Sequence, residues 1–332
     1  MLLDEESPRT TEWTRFTGAI ATWFLFLAFA ASAAVVTVDP YWIWRMDPPW
    51  LAWTGGVNRS LDLEMRRAKP LQLFERRAGT VLVGSSTVYQ GLRPVDVSPG
   101  ENDTYNLGLS SLMAAELPAV AALVAARGSE RVIIGLDYFM FTSFEGPLPV
   151  DSSLERASAR AVARLKTALS LRALQGSMPD AIRRAFDPGV WHFDGFKDVR
   201  DYSPEAMRRI IIGQRFQAMP YRPETLTHLH AALSVLKGRD VRVYLSPMNA
   251  LQRGLAAAAG READISRWRS DVAFLMRADV ASFADFTEDH PFQAFDEGHG
   301  STEAWLDPLH FKPKVGQWIL GKLALITGAT RD

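Results

Sequence analysis

The sequence predicts an α/β fold, a mostly parallel sheet covered by helices on both faces, behind one N-terminal membrane-spanning helix. Three observations predict it. Short apolar, β-branched segments recur at 80–84, 104–107, 131–136, 241–245 and 280–283, each the length of a buried strand. Stretches of helical spacing separate them, and that alternation favours a parallel sheet with both faces covered. Residues 17–38 carry no charge, enough to cross a hydrocarbon core of about 30 Å as a helix.

Taken in order, residues 1–16 form a tail assigned to the cytoplasmic side. Trp13 and Trp23 stand at one end of the 17–38 run and Tyr41, Trp42 and Trp44 at the other, as interfacial aromatics do. Ala28-Phe29-Ala30 and Ser32-Ala33-Ala34 also resemble cleavage sites, so a cleaved signal peptide is the competing reading. The run continues through Val35, Val36 and Val38, which favours an uncleaved anchor. Residues 39–60, rich in Trp and Pro, read as a juxtamembrane collar, and residues 61–330 as the globular domain. Helical spacing over 61–77 carries Arg66, Arg67, Lys69, Arg76 and Arg77. These read as the solvated face of an amphipathic helix, or else as a contact for an anionic partner or headgroups. Residues 110–127 read as a helix closed by Gly128 and bent at Pro118. Ser152 and Glu155 form a capping box for a helix reaching about 174. Pro223 opens a helix that stops at Gly238, and a last helix follows Pro313. Between 144 and 222 the alternation lapses into helices and the aromatic loop VWHFDGFKDVRDY. This insertion is expected over the C-terminal edge of the strands, where open α/β sheets bind ligands. It is either a specificity lid or a structural excursion.

The 332 residues include 37 basic and 38 acidic side chains, a formal net charge of -1, and no cysteine. The balance gives no electrostatic footprint for nucleic acid. The missing cysteine excludes disulfides, thiol catalysis and Cys-ligated zinc.

The chemistry concentrates at two places. VLVGSSTVYQGL, residues 81–92, reads as a buried strand, a glycine turn and Ser86 just past it. DPLH, residues 307–310, sets Asp307 three residues before His310. A histidine acting as general base must be held in one tautomer, and a carboxylate accepting from Nδ1–H does that. The other histidines show no metal-ligand grouping beyond His228-x-His230, read as a helix surface. Asp285, Asp289 and Asp296 near His290 read as a solvated acidic loop, with a cation site as the competing reading, and Trp305 reads as packing. No metal or cofactor is expected.

Four blocks stand in one order: GSS at 84–86, NLG at 106–108, GLDY at 135–138 and DPLH at 307–310. In this order they resemble the SGNH, or GDSL, hydrolase superfamily, over about residues 60–325. The anchored preamble, and GSS in place of GDS, are most similar to its bacterial cell-surface branch. That branch is similar to teichoic-acid D-alanyl-transfer proteins and exopolysaccharide acetyltransferase-like proteins. The resemblance implies a three-layer αβα, flavodoxin-like domain with Ser86 as nucleophile, His310 as base and Asp307 as its orienter. It implies backbone N–H donors from Ser86 and Gly108 to an oxyanion. It further implies acyl-ester hydrolysis or acyl transfer through an acyl-serine, on an acylated envelope or secreted polysaccharide. The location implied is a bacterial inner membrane, with the domain outside the cytoplasm and a membrane-bound acyl-transfer partner.

The third block departs from the family, whose G-x-N-D places an Asn amide where this chain has Asp137. An ionised Asp has no proton to donate and repels a developing oxyanion. Asp137 is therefore protonated in a dry site, turned to a structural partner, or a sign that the pocket lacks full hydrolase activity. Asn249, in YLSPMNA, is a candidate substitute donor. The alternative function is a non-catalytic SGNH shell that binds glycan or a membrane partner. A nucleotide-binding protein is disfavoured, because neither a phosphate loop nor G-x-G-x-x-G is present.

Overall fold

The computed structural model describes residues 8–44, 61–76, 78–97, 103–147, 149–177, 189–213, 219–279, 282–295, 298 and 300–328. Most of the collar, 45–60, and residues 1–7, Asp296 and His299 lie outside them.

Helix α1 (Pro8–Val38) starts ahead of the uncharged run and carries Arg9, Glu12 and Arg15 in its first turns. A leading proline suits that position, since its missing N–H would have no intrahelical acceptor. From Glu12 to Val38 the helix is long and apolar enough to cross a membrane. Trp23, Phe24, Leu27 and Phe29 are exposed, the reverse of what a core helix of a soluble protein would show. Its C-terminal end docks on the domain, where Val35, Tyr41 and Ile43 join the main core. Asp39 holds the exit turn by accepting from the N–H groups of Ile43 (2.8 Å) and Trp44 (3.0 Å).

After α2 (Met65–Glu75) come β1 (Thr80–Val83), α3 (Ser86–Gly91), β2 (Thr104–Asn106), α4 (Leu117–Arg127) and β3 (Arg131–Leu136). The insertion contributes α5 (Ala157–Ala168), α6 (Leu171–Gly176), the hairpin β4 (Gly189–Trp191) with β5 (Lys197–Val199), and α7 (Pro204–Gly213). The chain returns through α8 (Leu226–Val235), β6 (Asp240–Leu245), α9 (Ala250–Ala258), α10 (Glu262–Asp279), β7 (Ser282–Asp285) and α11 (Pro313–Gly328).

The main sheet runs β2-β1-β3-β6-β7 with every neighbouring pair parallel. Alternate residues leave a strand on opposite faces, which sorts the core into two layers. Val81, Val83, Ile134 and Leu245 face one side with Leu71, Val124, Leu229 and Trp268 of the helices there. Leu82, Ile133 and Tyr244 face the other with Val88 of α3 and Val315 and Ile319 of α11. Strands covered on both faces can be uniformly apolar, and β1 and β3 come near it. Helices α3 and α11 approach closely: a Cβ on Gly316 would collide with the Gly91 carbonyl, and one on Gly91 with the Phe311 ring.

Several local readings shift. Pro118 does not bend a long helix; it stands in the first turn of α4, where proline is tolerated, and Gly128 closes α4 at φ +83°. The stretch expected as one helix from Ser152 to 174 is three pieces: a 3₁₀ turn over Ser152–Glu155, capped by Asp151 accepting from the Ser153 N–H at 2.9 Å, then α5, which has no side-chain cap, and α6. The aromatic stretch assigned to a loop contains the β4–β5 hairpin. The last strand lies at Ser282–Asp285, slightly beyond the 280–283 expected. The basic cluster is not a continuous solvated face among its described members, Arg77 lying outside the described residues. Lys69 and Arg76 are buried, and Arg66 pairs with buried Glu116 at 2.8 Å.

Candidate active site

The order of the main-sheet strands reverses at β1. The chain moves outward from β1 to β2, then crosses to the other side of β1 for β3. A crevice opens beyond the strand C-termini at such a switch point, and the four sequence blocks end up around it. The geometry of β1 comes first. Gly84 follows it where a Cβ would clash with Val88 and the Gly135 carbonyl. Ser85 then caps α3, its hydroxyl accepting from the Thr87 N–H at 3.2 Å. Ser86 is the first residue of α3, so its own N–H has no intrahelical acceptor.

The 301–312 loop delivers His310. Trp305 bridges Phe311 in an antiparallel pair, and the Leu306 N–H donates to the His310 carbonyl at 2.8 Å. Trp305 is fully buried and donates its indole N–H to Phe292 O at 2.9 Å, a packing role as its sequence position suggested. Within DPLH, Asp307 Oδ1 accepts from the N–H groups of Leu309 (2.8 Å) and His310 (2.9 Å). Its other oxygen, Oδ2, accepts from His310 Nδ1 at 2.7 Å. That assigns the proton to Nδ1 and leaves Nε2 as acceptor. Nε2 lies 2.8 Å from Ser86 Oγ, within the reach a general base requires.

Burial works against the charged imidazole of His310, but the Asp307 charge and hydrogen bond outweigh it and raise its pKa. Burial likewise disfavours ionised Asp307, and His310 together with the two backbone donors overcomes this and lowers its pKa. The pair is thus biased toward carboxylate and imidazolium, the state a proton-accepting histidine must reach.

Asp137 follows β3 and is buried. Its Oδ2 accepts from Ser85 Oγ at 2.5 Å and from Thr87 Oγ1 at 3.0 Å. Burial raises its pKa, and the serine and threonine hydroxyls pull the other way. Of the three readings, the carboxyl is turned to structural partners, with its ionised form made costlier by burial.

Two expected oxyanion donors are otherwise engaged. The Gly108 N–H donates to Asn106 Oδ1 at 2.9 Å within the turn after β2. Asn249 Nδ2 donates to Pro308 O at 2.9 Å, while its Oδ1 caps α9 by accepting from the Gln252 N–H at 2.9 Å. Asn249 therefore braces the loop that carries Asp307 and His310, with one of its two amide protons given to the Pro308 carbonyl. Among the expected donors, the Ser86 N–H alone has no acceptor assigned by the helix.

Lys69 escaped the sequence reading. Its fully buried ammonium donates to the carbonyls of Asn106 (3.0 Å), Gly108 (2.7 Å) and Gly195 (2.8 Å). Burial pushes its pKa well down, opposed by Asp194 and Asp62. It pins the turn after β2 to the tip of the β4–β5 hairpin. The Asn106 N–H donates to Asp194 O at 2.8 Å, and the Tyr89 and Trp191 rings lie 5.1 Å apart. This part of the insertion thus stands beside the helix bearing Ser86, while α5 and α6 pack on α1. A cleft of about 870 Å³ between α2 and α5 does not include Ser86 in its lining. A far smaller cavity of about 20 Å³ touches Asp137 and Leu309.

The remaining candidates are structural. His290 donates from Nε2 to Met248 O (3.1 Å) and accepts at Nδ1 from the Phe292 N–H (3.2 Å). Burial lowers its pKa. Asp285 pairs with Arg269 at 2.7 Å. His228 and His230 lie on the surface of α8. No cluster of His, Cys, Asp and Glu fit for a metal occurs among the described residues. Compared with known proteins, the chain matches no family model and no curated protein.

Proposed function

We propose that this chain is a membrane-anchored serine acyl-ester hydrolase or acyltransferase of the SGNH type, acting on a cell-envelope or secreted polysaccharide. The observation that carries the reading is the hydrogen-bonded chain Ser86–His310–Asp307, with steps of 2.8 and 2.7 Å. Its three members come from opposite ends of the sequence and meet at the switch point of the sheet. The strand order, 2-1-3-4-5 when only main-sheet strands are numbered, is that of flavodoxin-like domains and supports the same family.

The chemistry follows from the distances. Ser86 Oγ attacks the acyl carbonyl as its proton passes to His310 Nε2, and Asp307 stabilises the imidazolium. The tetrahedral oxyanion takes the Ser86 N–H. Collapse expels the alcohol, which receives the proton from Nε2, and leaves an acyl-Ser86 ester. Water or a sugar hydroxyl, deprotonated by the same nitrogen, then attacks that ester and regenerates the serine. With α1 as anchor, the domain lies outside the cytoplasm of a bacterial inner membrane, beside a membrane-bound acyl-transfer partner.

One observation favours a second reading, a non-catalytic module that binds glycan or a membrane partner. The Gly108 N–H is satisfied internally and Asp137 accepts rather than donates, so the oxyanion pocket is incomplete as it stands. Losing one such donor costs about 2.7–4 kcal/mol of transition-state stabilisation. A fluorophosphonate separates the readings, since it reacts only with a hydroxyl activated by a base. The enzyme reading expects labelling at Ser86, none at Ser85, and none in Ser86→Ala or His310→Ala. Folded wild-type protein that stays unlabelled at every pH and leaves a short acyl ester intact would hand the case to the binding module.

A further inference from the structure

Helices α5 and α6 are turned inside out relative to a water-facing pair. Their buried side chains are small: Ala163, Thr167, Ala168 and Ala173. Their large apolar side chains point outward: Val162, Leu165, Leu169, Leu171 and Leu174 are all exposed, Leu171 at 78%. A surface helix in water normally turns its bulky apolar residues to the core. Here the spacing of Val162, Leu165 and Leu169 makes one outward stripe, and α6 extends it. A contiguous apolar face of this kind marks a partner or a membrane.

The neighbour of this face says which. Helix α1 packs against both α5 and α6, and Val35 shares a core with Ala163 and Ala173. A hydrocarbon layer of about 30 Å takes roughly 20 helical residues, and the apolar stretch of α1 is 27 residues long. The C-terminal turns of α1, where α5 and α6 attach, therefore lie at the boundary between acyl chains and headgroups. The helices that carry the outward stripe are attached there. The 870 Å³ cleft beside the stripe is lined by Arg66, Arg67, Arg156, Lys166 and Arg172 against Asp62, Glu64 and Asp151. This basic excess, although Arg172 pairs with Glu64 at 3.6 Å, puts cationic groups where lipid phosphates would be.

We propose that α5 and α6 form a second membrane contact, lying on the bilayer beside α1 with this stripe sunk into the acyl-chain boundary. The occupant is a phospholipid bilayer containing anionic headgroups. Two attachments would stop the domain from swivelling about a single helix and hold the Ser86 crevice in one orientation to the membrane. The inference rests on reading α1 as a membrane span, and its test reports on the two separately.

The chain has no cysteine, so a single introduced thiol can carry an environment-sensitive fluorophore without competition. Full-length Leu165→Cys, Leu171→Cys, Phe24→Cys and Ser266→Cys proteins, the last on α10 as a control, would be reconstituted in phosphatidylcholine–phosphatidylglycerol vesicles. Lipids spin-labelled near the headgroup, for positions 165, 171 and 266, and along the acyl chain, for position 24, would serve as quenchers. Labels at 165 and 171 should emit at shorter wavelength than the one at 266 and lose intensity to the spin-labelled lipid, while the label at 266 keeps its intensity. Quenching at 24 without quenching at 165 or 171 would overturn the second contact and leave the anchor standing. Labels at 165 and 171 shielded from aqueous iodide yet untouched by the lipid quencher would place another protein, or a second copy, on this face, and would overturn the proposal equally. No quenching at 24 would refute the anchor itself.

Discussion

Replacing Asp307 by asparagine tests the geometry of the proposed catalytic chain more sharply than removing the residue. Asp307 Oδ1 accepts from two backbone N–H groups, those of Leu309 and His310. An asparagine must leave its carbonyl oxygen there, since its amide would otherwise face two donors. Its NH₂ group is then aimed at His310 Nδ1, where Oδ2 stood at 2.7 Å. Nδ1 must accept, the ring proton moves to Nε2, and Nε2 meets Ser86 Oγ with a proton where it should have a lone pair. A histidine locked in the wrong tautomer by this kind of exchange costs about 10⁴ in rate, or about 5.4 kcal/mol. In Asp307→Ala the imidazole remains free to exchange tautomers, so more activity should survive than in Asp307→Asn. Stability should rank the other way. Asn keeps both backbone bonds, whereas Ala strands two buried N–H groups at about 1–3 kcal/mol each. The assay is the second-order rate of fluorophosphonate labelling, with kcat/KM on a short acyl ester, beside thermal unfolding of each variant. Asp307→Asn retaining labelling within tenfold of wild type, or exceeding Asp307→Ala, would refute the tautomer argument and with it the role given to Asp307.

Two further outcomes follow from the buried titrating groups. The pKa of His310 is raised by Asp307, so the base is protonated and idle at low pH. Labelling should therefore rise with pH through a midpoint above the ordinary histidine value of about 6.5, and the same linkage stabilises the fold at low pH, with that stability lost as pH rises through the folded-state pKa. A midpoint at or below the ordinary value would count against the coupling. Asp137 has a raised pKa from burial, so its contribution is fully present below the ordinary carboxylate value and declines as pH climbs toward the folded-state value. Asp137→Asn should accordingly match wild type in thermal stability at pH 3, exceed it at pH 8, and retain labelling. A variant less stable at pH 8 would mean that Ser85 and Thr87 depend on the ionised carboxylate.

What could be read from the chain was whatever is encoded over a few neighbouring residues. The central strands β1 and β3 were legible because burial on both faces makes them almost uniformly apolar. Residues 17–38 were legible because length and lack of charge suffice. In DPLH, Asp307 and His310 are three residues apart, and the turn that joins them is local. The Gly84–Ser86 turn was legible for the same reason. What only tertiary structure decided lies between residues far apart in sequence. Ser86 and His310 are separated by 224 positions, and nothing in either segment states that they meet; the crossing of the chain at β1 brings them together. Lys69 looked like one more cation on a basic helix face, and only the carbonyls of Asn106, Gly108 and Gly195 around it make it a buried clamp. Asp137 and Asn249 were ambiguous for the same reason. A side-chain donor or acceptor takes its role from its partner, and Ser85 and Pro308 lie 52 and 59 residues away from them. The outward leucines of α5 and α6 kept an ordinary helical rhythm in sequence, because periodicity reveals that a helix has an apolar face but not which way that face turns; the packing of α1 against the small residues of α5 and α6 settled it.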